Sequence, residues 1–78
     1  MRTVRVGLIG LGTVGSGVVE ILQRHGEDFR HRAGVDIQLV KFADRNTARF
    51  ADLGLAPEQC VTDAQAVIDD PSINVVIE

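Results

Sequence analysis

Six residues constrain this chain more than any others: Gly10-Leu11-Gly12-Thr13-Val14-Gly15, a G-x-G-x-x-G run. The pattern by itself is weak, because glycine is common. Its neighbours make it informative. Val4 to Ile9 is a short β-branched run that ends at Gly10, as a buried strand of a parallel sheet does. From Thr13 the apolar period lengthens. Val14, Val18, Ile21 and Leu22 fall at i, i+4, i+7 and i+8, one face of an amphipathic helix. The glycines therefore sit in a strand-to-helix turn. There Gly10 permits the tight turn, Gly12 leaves the backbone open to close approach, and Gly15 lets the helix pack closely on the strand.

The same alternation continues. The first helix has two readings: it ends at Gly26 as a left-handed cap, or it runs on with Phe29 until Ala33-Gly34. The longer one is preferred. Ile37 to Ala43 reads as a second strand, closed by Asp44-Arg45-Asn46. Asn46 then caps a short helix through Leu53, with Gly54 just beyond. Cys60-Val61 reads as a minimal buried strand. Thr62-Asp63-Ala64-Gln65 has the spacing of a capping box and opens a helix with Ala66, Val67 and Ile68. Pro71 stops it, and Ile73 to Ile77 is the last strand. Strand–helix–strand repeated in this way predicts an α/β fold, the first βαβαβαβ portion of a Rossmann-type doubly wound parallel sheet. Such sheets normally carry further strands, so residues 1–78 are expected to be the N-terminal part of a dinucleotide-binding domain, with the catalytic domain outside this chain.

A glycine turn at the head of a helix is suited to phosphate. The free N–H groups near Thr13 and Val14 and the positive end of the helix dipole favour a pyrophosphate. The expected companion is a carboxylate at the end of the second strand, holding the ribose hydroxyls. Asp44 occupies that place, and a simple turn-forming role accounts for the same residue. Asp36 falls at the wrong end of the strand. Arg45 keeps the cofactor open between NAD and NADP, because a carboxylate at the ribose disfavours a 2′-phosphate while a guanidinium pairs with one. The candidate cofactor-binding residues are thus Gly10, Leu11, Gly12, Thr13, Val14, Gly15, Asp44 and Arg45.

Other chemistries find no support. His25 and His31 have no partner at metal-ligand spacing, Lys41 lies within a strand, and Gly17 sits on the helix at some cost in propensity. No catalytic or metal-binding residue is assigned. A net charge of −3 argues against nucleic acid and anionic membranes, and the cluster Arg24, His25, Arg30, His31 and Arg32 is interleaved with Glu20, Glu27 and Asp28. The start Met1-Arg2-Thr3-Val4-Arg5 lacks the apolar stretch of a signal peptide, and no apolar run approaches the ~20 residues of a membrane span. One cysteine, Cys60, forms no internal disulfide and suits a reducing cytosol, so a cytoplasmic location and a packed, inert thiol are expected.

The stretch Val4 to Val19, with Thr13 and the Gly15-Ser16-Gly17 run, resembles the opening of homoserine dehydrogenases. Ile68 to Glu78 is similar to that family's fourth strand and its lead-in. The resemblance implies a nicotinamide-dependent oxidoreductase that interconverts aspartate 4-semialdehyde and homoserine on the route to threonine and methionine. It implies cofactor contact by Leu11, Thr13 and Val14 through the turn. It places the family's catalytic lysines, substrate carboxylates and the segments of its homo-oligomer contacts beyond residue 78. The chain alone is therefore expected to be inactive and loosely folded. Two other readings stay open: a non-catalytic nucleotide-sensing module, and another semialdehyde or imine reductase with a similar first half.

Overall fold

The structure, a computed structural model, describes residues 2–78; Met1, at the start of the segment compared above with a signal peptide, lies outside the described residues. β1 spans Arg2–Ile9, α1 Thr13–Ala33, β2 Val35–Ala43, α2 Ala48–Asp52, β3 Cys60–Val61, α3 Ala64–Ile68 and β4 Val75–Ile77. A 3-10 turn at Pro57–Gln59 leads into β3. The strands form one sheet in the order β3-β2-β1-β4, and every neighbouring pair is parallel. β4 thus lies on the far side of β1 from β2. The strand order reverses there, and in open α/β sheets ligands bind outside the carboxyl ends of the strands at such a reversal. This is the Rossmann-type architecture expected from the sequence. No helix among the described residues is long and apolar enough to cross a membrane.

Side-chain alternation along β1 assigns the two layers. Leu8 faces α1 and forms a core with Leu11, Val19 and Phe42, joined at its margin by Phe50, Leu53 and Leu55. Gly7 faces the other side. A Cβ there would lie 2.5 Å from Val67 Cγ1 and 2.9 Å from Ile73 Cδ1, so glycine lets α3 and the lead into β4 lie on the sheet. The β1–β2 register shifts between Val6 and Gly7, and Gln59 Nε2 donates to the carbonyls of Leu39 and Val40 beside that irregularity. On the Gly7 side, Lys41 Nζ pairs with Asp70 Oδ2 at 2.9 Å. Asp70 also accepts from the Ser72 hydroxyl and N–H, and Lys41 with these bonds holds its carboxyl far below the usual carboxylate range.

The longer first helix is the one observed. It runs unbroken through Gly26 to a left-handed cap at Gly34, whose N–H donates to the Arg30 carbonyl at 3.1 Å. Its buried stripe agrees with the expected one at Val18 and Leu22, both half-buried, and departs from it elsewhere. Gly15 and Val19 are buried and Leu22 and Gly26 half-buried, at i, i+4, i+7 and i+11, whereas Val14 is 70% exposed and Ile21 52%. Gly15 lies against the end of β1, which brings the start of the helix close to the sheet there, while Ile21 borders an apolar cavity between α1 and the sheet. The mixed charges of α1 form surface pairs such as Arg24–Glu20 and Arg30–Glu27, each worth a few tenths of a kcal/mol at most.

Four local details differ from the sequence expectations. Asn46 lies one residue ahead of the α2 cap position, Thr47, although its Oδ1 still accepts from the Ala48 N–H. The capping box at α3 does not form. Asp63 caps instead, accepting from the Gln65 N–H, and the Gln65 side chain turns to Asp69; aspartate outranks threonine at such positions. β4 begins at Val75 because the Asn74 side chain takes the Arg5 N–H that a strand carbonyl would otherwise take. β3 is half-buried, since it is the edge strand. At Cys60, burial, assisted by Glu58, pushes the thiol pKa up, and its Sγ–H donates to the Ala56 carbonyl.

Candidate dinucleotide-binding site

The turn between β1 and α1 is anchored on the end of β2. Gly10 adopts φ +87°, a left-handed conformation that side chains rarely take, and its N–H donates to the Ala43 carbonyl at 2.8 Å. The Leu11 side chain is fully buried in the core. Its N–H donates to Asp44 Oδ2 at 2.7 Å, and its carbonyl accepts from Arg49 Nη1 at 2.9 Å. The sequence pattern places Leu11 among the cofactor contacts, but its side chain points inward and both its backbone polar atoms are engaged. From there it supports the turn from below.

Gly12 is the N-cap of α1, and no side chain caps the helix. The first helical bond runs from the Ser16 N–H to the Gly12 carbonyl at 2.9 Å. The N–H groups of Thr13, Val14 and Gly15 precede it and have no partner within the helix. They stand at the positive end of a 21-residue helix with no acidic residue in its first turn, an arrangement that attracts an anion. The glycines differ in what they are for. A Cβ at Gly15 would collide with the Gly10 carbonyl oxygen, whereas a Cβ at Gly12 meets nothing within 4 Å. The fold needs glycine at 15 and not at 12. The open space over Gly12 is what a close-lying pyrophosphate requires, so the residues present fit a dinucleotide.

Asp44 stands at the end of β2, beside this turn. Its Oδ1 accepts from the Asn46 N–H at 2.8 Å and its Oδ2 from Leu11. These two bonds, with a smaller contribution from the Arg49 charge, hold its carboxyl below the ordinary range against partial burial. Because the folded value is the lower one, its contribution to stability is present above the ordinary carboxylate pKa and is lost as pH falls through the lowered one. Asp44 is thus an anion at neutral pH with oxygen lone pairs to spare. A cavity of about 430 Å³ brings it together with Ile9, Gly10, Arg45, Thr62 and Asp63. A larger cavity, about 750 Å³, lies along β3 between Phe50, Leu55, Pro57 and Ala66 and includes none of the fingerprint residues. The smaller one adjoins the turn and carries Asp44 and Arg45, so it is the better site for a nucleoside.

Asp36 lies near the start of β2, facing Arg30 and away from the site, as expected. Among the described residues no group of three or more His, Cys, Asp and Glu could hold a metal ion. Arg49 was missed by sequence reasoning. Its bond to the Leu11 carbonyl spans 38 positions, and the only hint is a guanidinium in the short helix that follows Asp44-Arg45.

A sheet whose order reverses beside β1, a glycine turn heading a long helix and a carboxylate at the end of β2 together define a dinucleotide-binding domain of the Rossmann class. The family described as "Homoserine dehydrogenase, NAD binding domain" matches residues 10–78. The homoserine dehydrogenase of Bacillus subtilis is 42% identical over 78 residues, all of this chain and 18% of the relative. That of Synechocystis is 40% identical over 76 residues, 97% of this chain and 17% of the relative. Among solved structures, a homoserine dehydrogenase from Thiobacillus denitrificans matches 97% of this chain and 17% of its own, with a TM-score of 0.80 and 40% identity. One from S. aureus reaches a TM-score of 0.83 at 26% identity, covering 97% of this chain and 19% of its own. The chain belongs to the homoserine dehydrogenase NAD-binding domain family, and it spans about 18% of the length of the curated relatives it matches. Its cofactor is a nicotinamide dinucleotide.

Proposed function

We propose that residues 1–78 are the N-terminal part of the dinucleotide-binding domain of a homoserine dehydrogenase. In this reading the N–H groups of Gly12, Thr13, Val14 and Gly15 hold the pyrophosphate, with Gly10 shaping the turn and Leu11 supporting it. Asp44 accepts from the adenosine ribose hydroxyls, and Arg45 lies where it can face a 2′-substituent. The bound cofactor supplies the hydride acceptor or donor for the interconversion of homoserine and aspartate 4-semialdehyde. The groups that bind and protonate that substrate lie outside this chain. Lys41, its single lysine, is committed to Asp70. The observation that carries the reading is the juxtaposition of an ionised Asp44 with an unencumbered helix N-terminus over an open Gly12. The net charge of −3 supports a small-molecule ligand over nucleic acid or a membrane, and the lone cysteine supports a cytoplasmic setting. Self-association of the whole enzyme rests on the family resemblance alone.

The test is homoserine-dependent reduction of NAD and of NADP by the full natural protein and two variants. The wild type is expected to turn over with homoserine. Asp44→Ser is expected to raise KM for NAD roughly tenfold, the worth of a hydrogen bond to a charged group, and to lower it for NADP by removing a repelling charge. Arg45→Ala is expected to weaken NADP more than NAD. No homoserine-dependent turnover would refute the assignment. An unchanged NAD/NADP ratio in both variants would reduce Asp44 to a turn residue.

A further inference from the structure

We infer that Arg49 is a positioning residue for the cofactor pyrophosphate, acting through the Leu11–Gly12 peptide. The inference rests on the dinucleotide reading above and adds to it a residue outside the fingerprint. Three anchors from the β2–α2 segment grip the turn: Ala43 takes the Gly10 N–H, Asp44 takes the Leu11 N–H, and Arg49 holds the Leu11 carbonyl. The last differs from the others in what it controls. The Leu11 carbonyl and the Gly12 N–H belong to one peptide unit. That unit is planar and trans, with no cis bond among the described residues, so the two point in opposite directions. A guanidinium fixed on the carbonyl oxygen therefore aims the Gly12 N–H away from α2 and out of the turn. That N–H meets no acceptor among the described residues. It is a donor held ready, at the glycine whose missing Cβ leaves space for a phosphate.

Without Arg49 this peptide has one fewer restraint. It turns about ψ of Leu11 and φ of Gly12, and glycine allows rotations that other residues forbid. The peptide plane is then free to turn its donor away. Asp44 cannot replace the missing bond, because it holds the preceding peptide unit. Arginine suits this role because its planar fork is always charged and keeps its geometry, and the neighbouring Asp44 anion balances it. Binding of the pyrophosphate thus depends on a side chain that need not touch it.

The experiment compares the full natural protein with Arg49→Met, which keeps the apolar stem and removes the donor, and Arg49→Lys, which keeps a donor without the fork. Calorimetric titrations with NAD and with adenosine are read beside the amide 15N–1H signal of Gly12 and the thermal unfolding curve. Arg49→Met is expected to bind NAD about tenfold more weakly, the fold-change set by one charge-assisted hydrogen bond, with adenosine affinity unchanged and the Gly12 signal displaced. Arg49→Lys is expected to fall between, roughly threefold weaker for NAD, and supplies the same test should the methionine variant fail to fold. Wild-type affinity for NAD in either folded variant overturns the inference, as does a parallel loss for adenosine, which marks a collapsed cleft. A wild-type protein that binds no NAD at all refutes the dinucleotide reading itself, and the inference with it.

Discussion

Replacing Gly15 with valine is expected to lift the start of α1 off the sheet and to remove cofactor binding together with much of the stability. The added Cβ would meet the Gly10 carbonyl oxygen, a backbone atom with nowhere to go. Gly10 is tied to Ala43 through its N–H and already occupies a left-handed conformation, so the turn cannot shift without breaking its anchor on β2. The helix must move instead. Val19 and Leu11, both fully buried next to that contact, would lose packing as it does. Overpacking against a rigid neighbour costs about 3 kcal/mol. Each kcal/mol lowers the melting temperature by roughly 2–8 °C, the less the larger the domain. Thermal denaturation followed by circular dichroism measures this, and an unchanged melting curve would mean that α1 does not pack against the turn as described.

Gly12→Val is expected to do the opposite: abolish binding while leaving the fold in place. A Cβ at residue 12 meets nothing within 4 Å, and the backbone there is at φ −72°, which any residue adopts. The structural cost is confined to a poorer N-cap, about 1 kcal/mol. The functional cost is larger, because a branched side chain fills the space through which a pyrophosphate reaches the N–H groups of the first turn. Loss of two charge-assisted hydrogen bonds corresponds to at least about a hundredfold in affinity. Calorimetry with NAD and a thermal melt on the same sample separate the two effects. Undiminished NAD affinity would remove Gly12 from the site. A melt lowered as far as that of Gly15→Val would show that glycine 12 serves the fold.

The contrast between these glycines also shows what was legible beforehand. The motif spacing and the change of period at Thr13 were enough to place the turn, because both are local properties of the backbone. The course of α1 through Gly26 was the preferred of two readings, with Phe29 carrying the apolar face on until Ala33-Gly34. The full set of buried positions on α1 did not follow. Val18 and Leu22 fit the core by periodicity and are half-buried, whereas Val14 and Ile21 stay exposed and the close contact at Gly15 leaves Val19 as the buried residue one turn on. Leu11 fits a fingerprint position by pattern, yet its role depends on which way one side chain points, and it points into the core. Arg49 was invisible for a similar reason: its bond to the Leu11 carbonyl is made only once β2 and α2 have folded against the turn. At α3 the pattern suggested Thr62 and Gln65, while the competition between adjacent capping groups went to Asp63.

In the proposed function a dinucleotide sits on the turn at residues 10–15 with its ribose at Asp44. Titrating the isotopically labelled protein with NAD and following its backbone amide signals tests that most directly. The expected result is saturable shifts concentrated at Gly12, Thr13, Val14 and Gly15, the unpaired donors heading α1, with a second group at Asp44 and Arg45. Adenosine alone should reproduce the second group and leave the first largely unmoved. Saturable shifts confined to the larger cavity around Phe50, Leu55 and Pro57, with the turn silent, would contradict it.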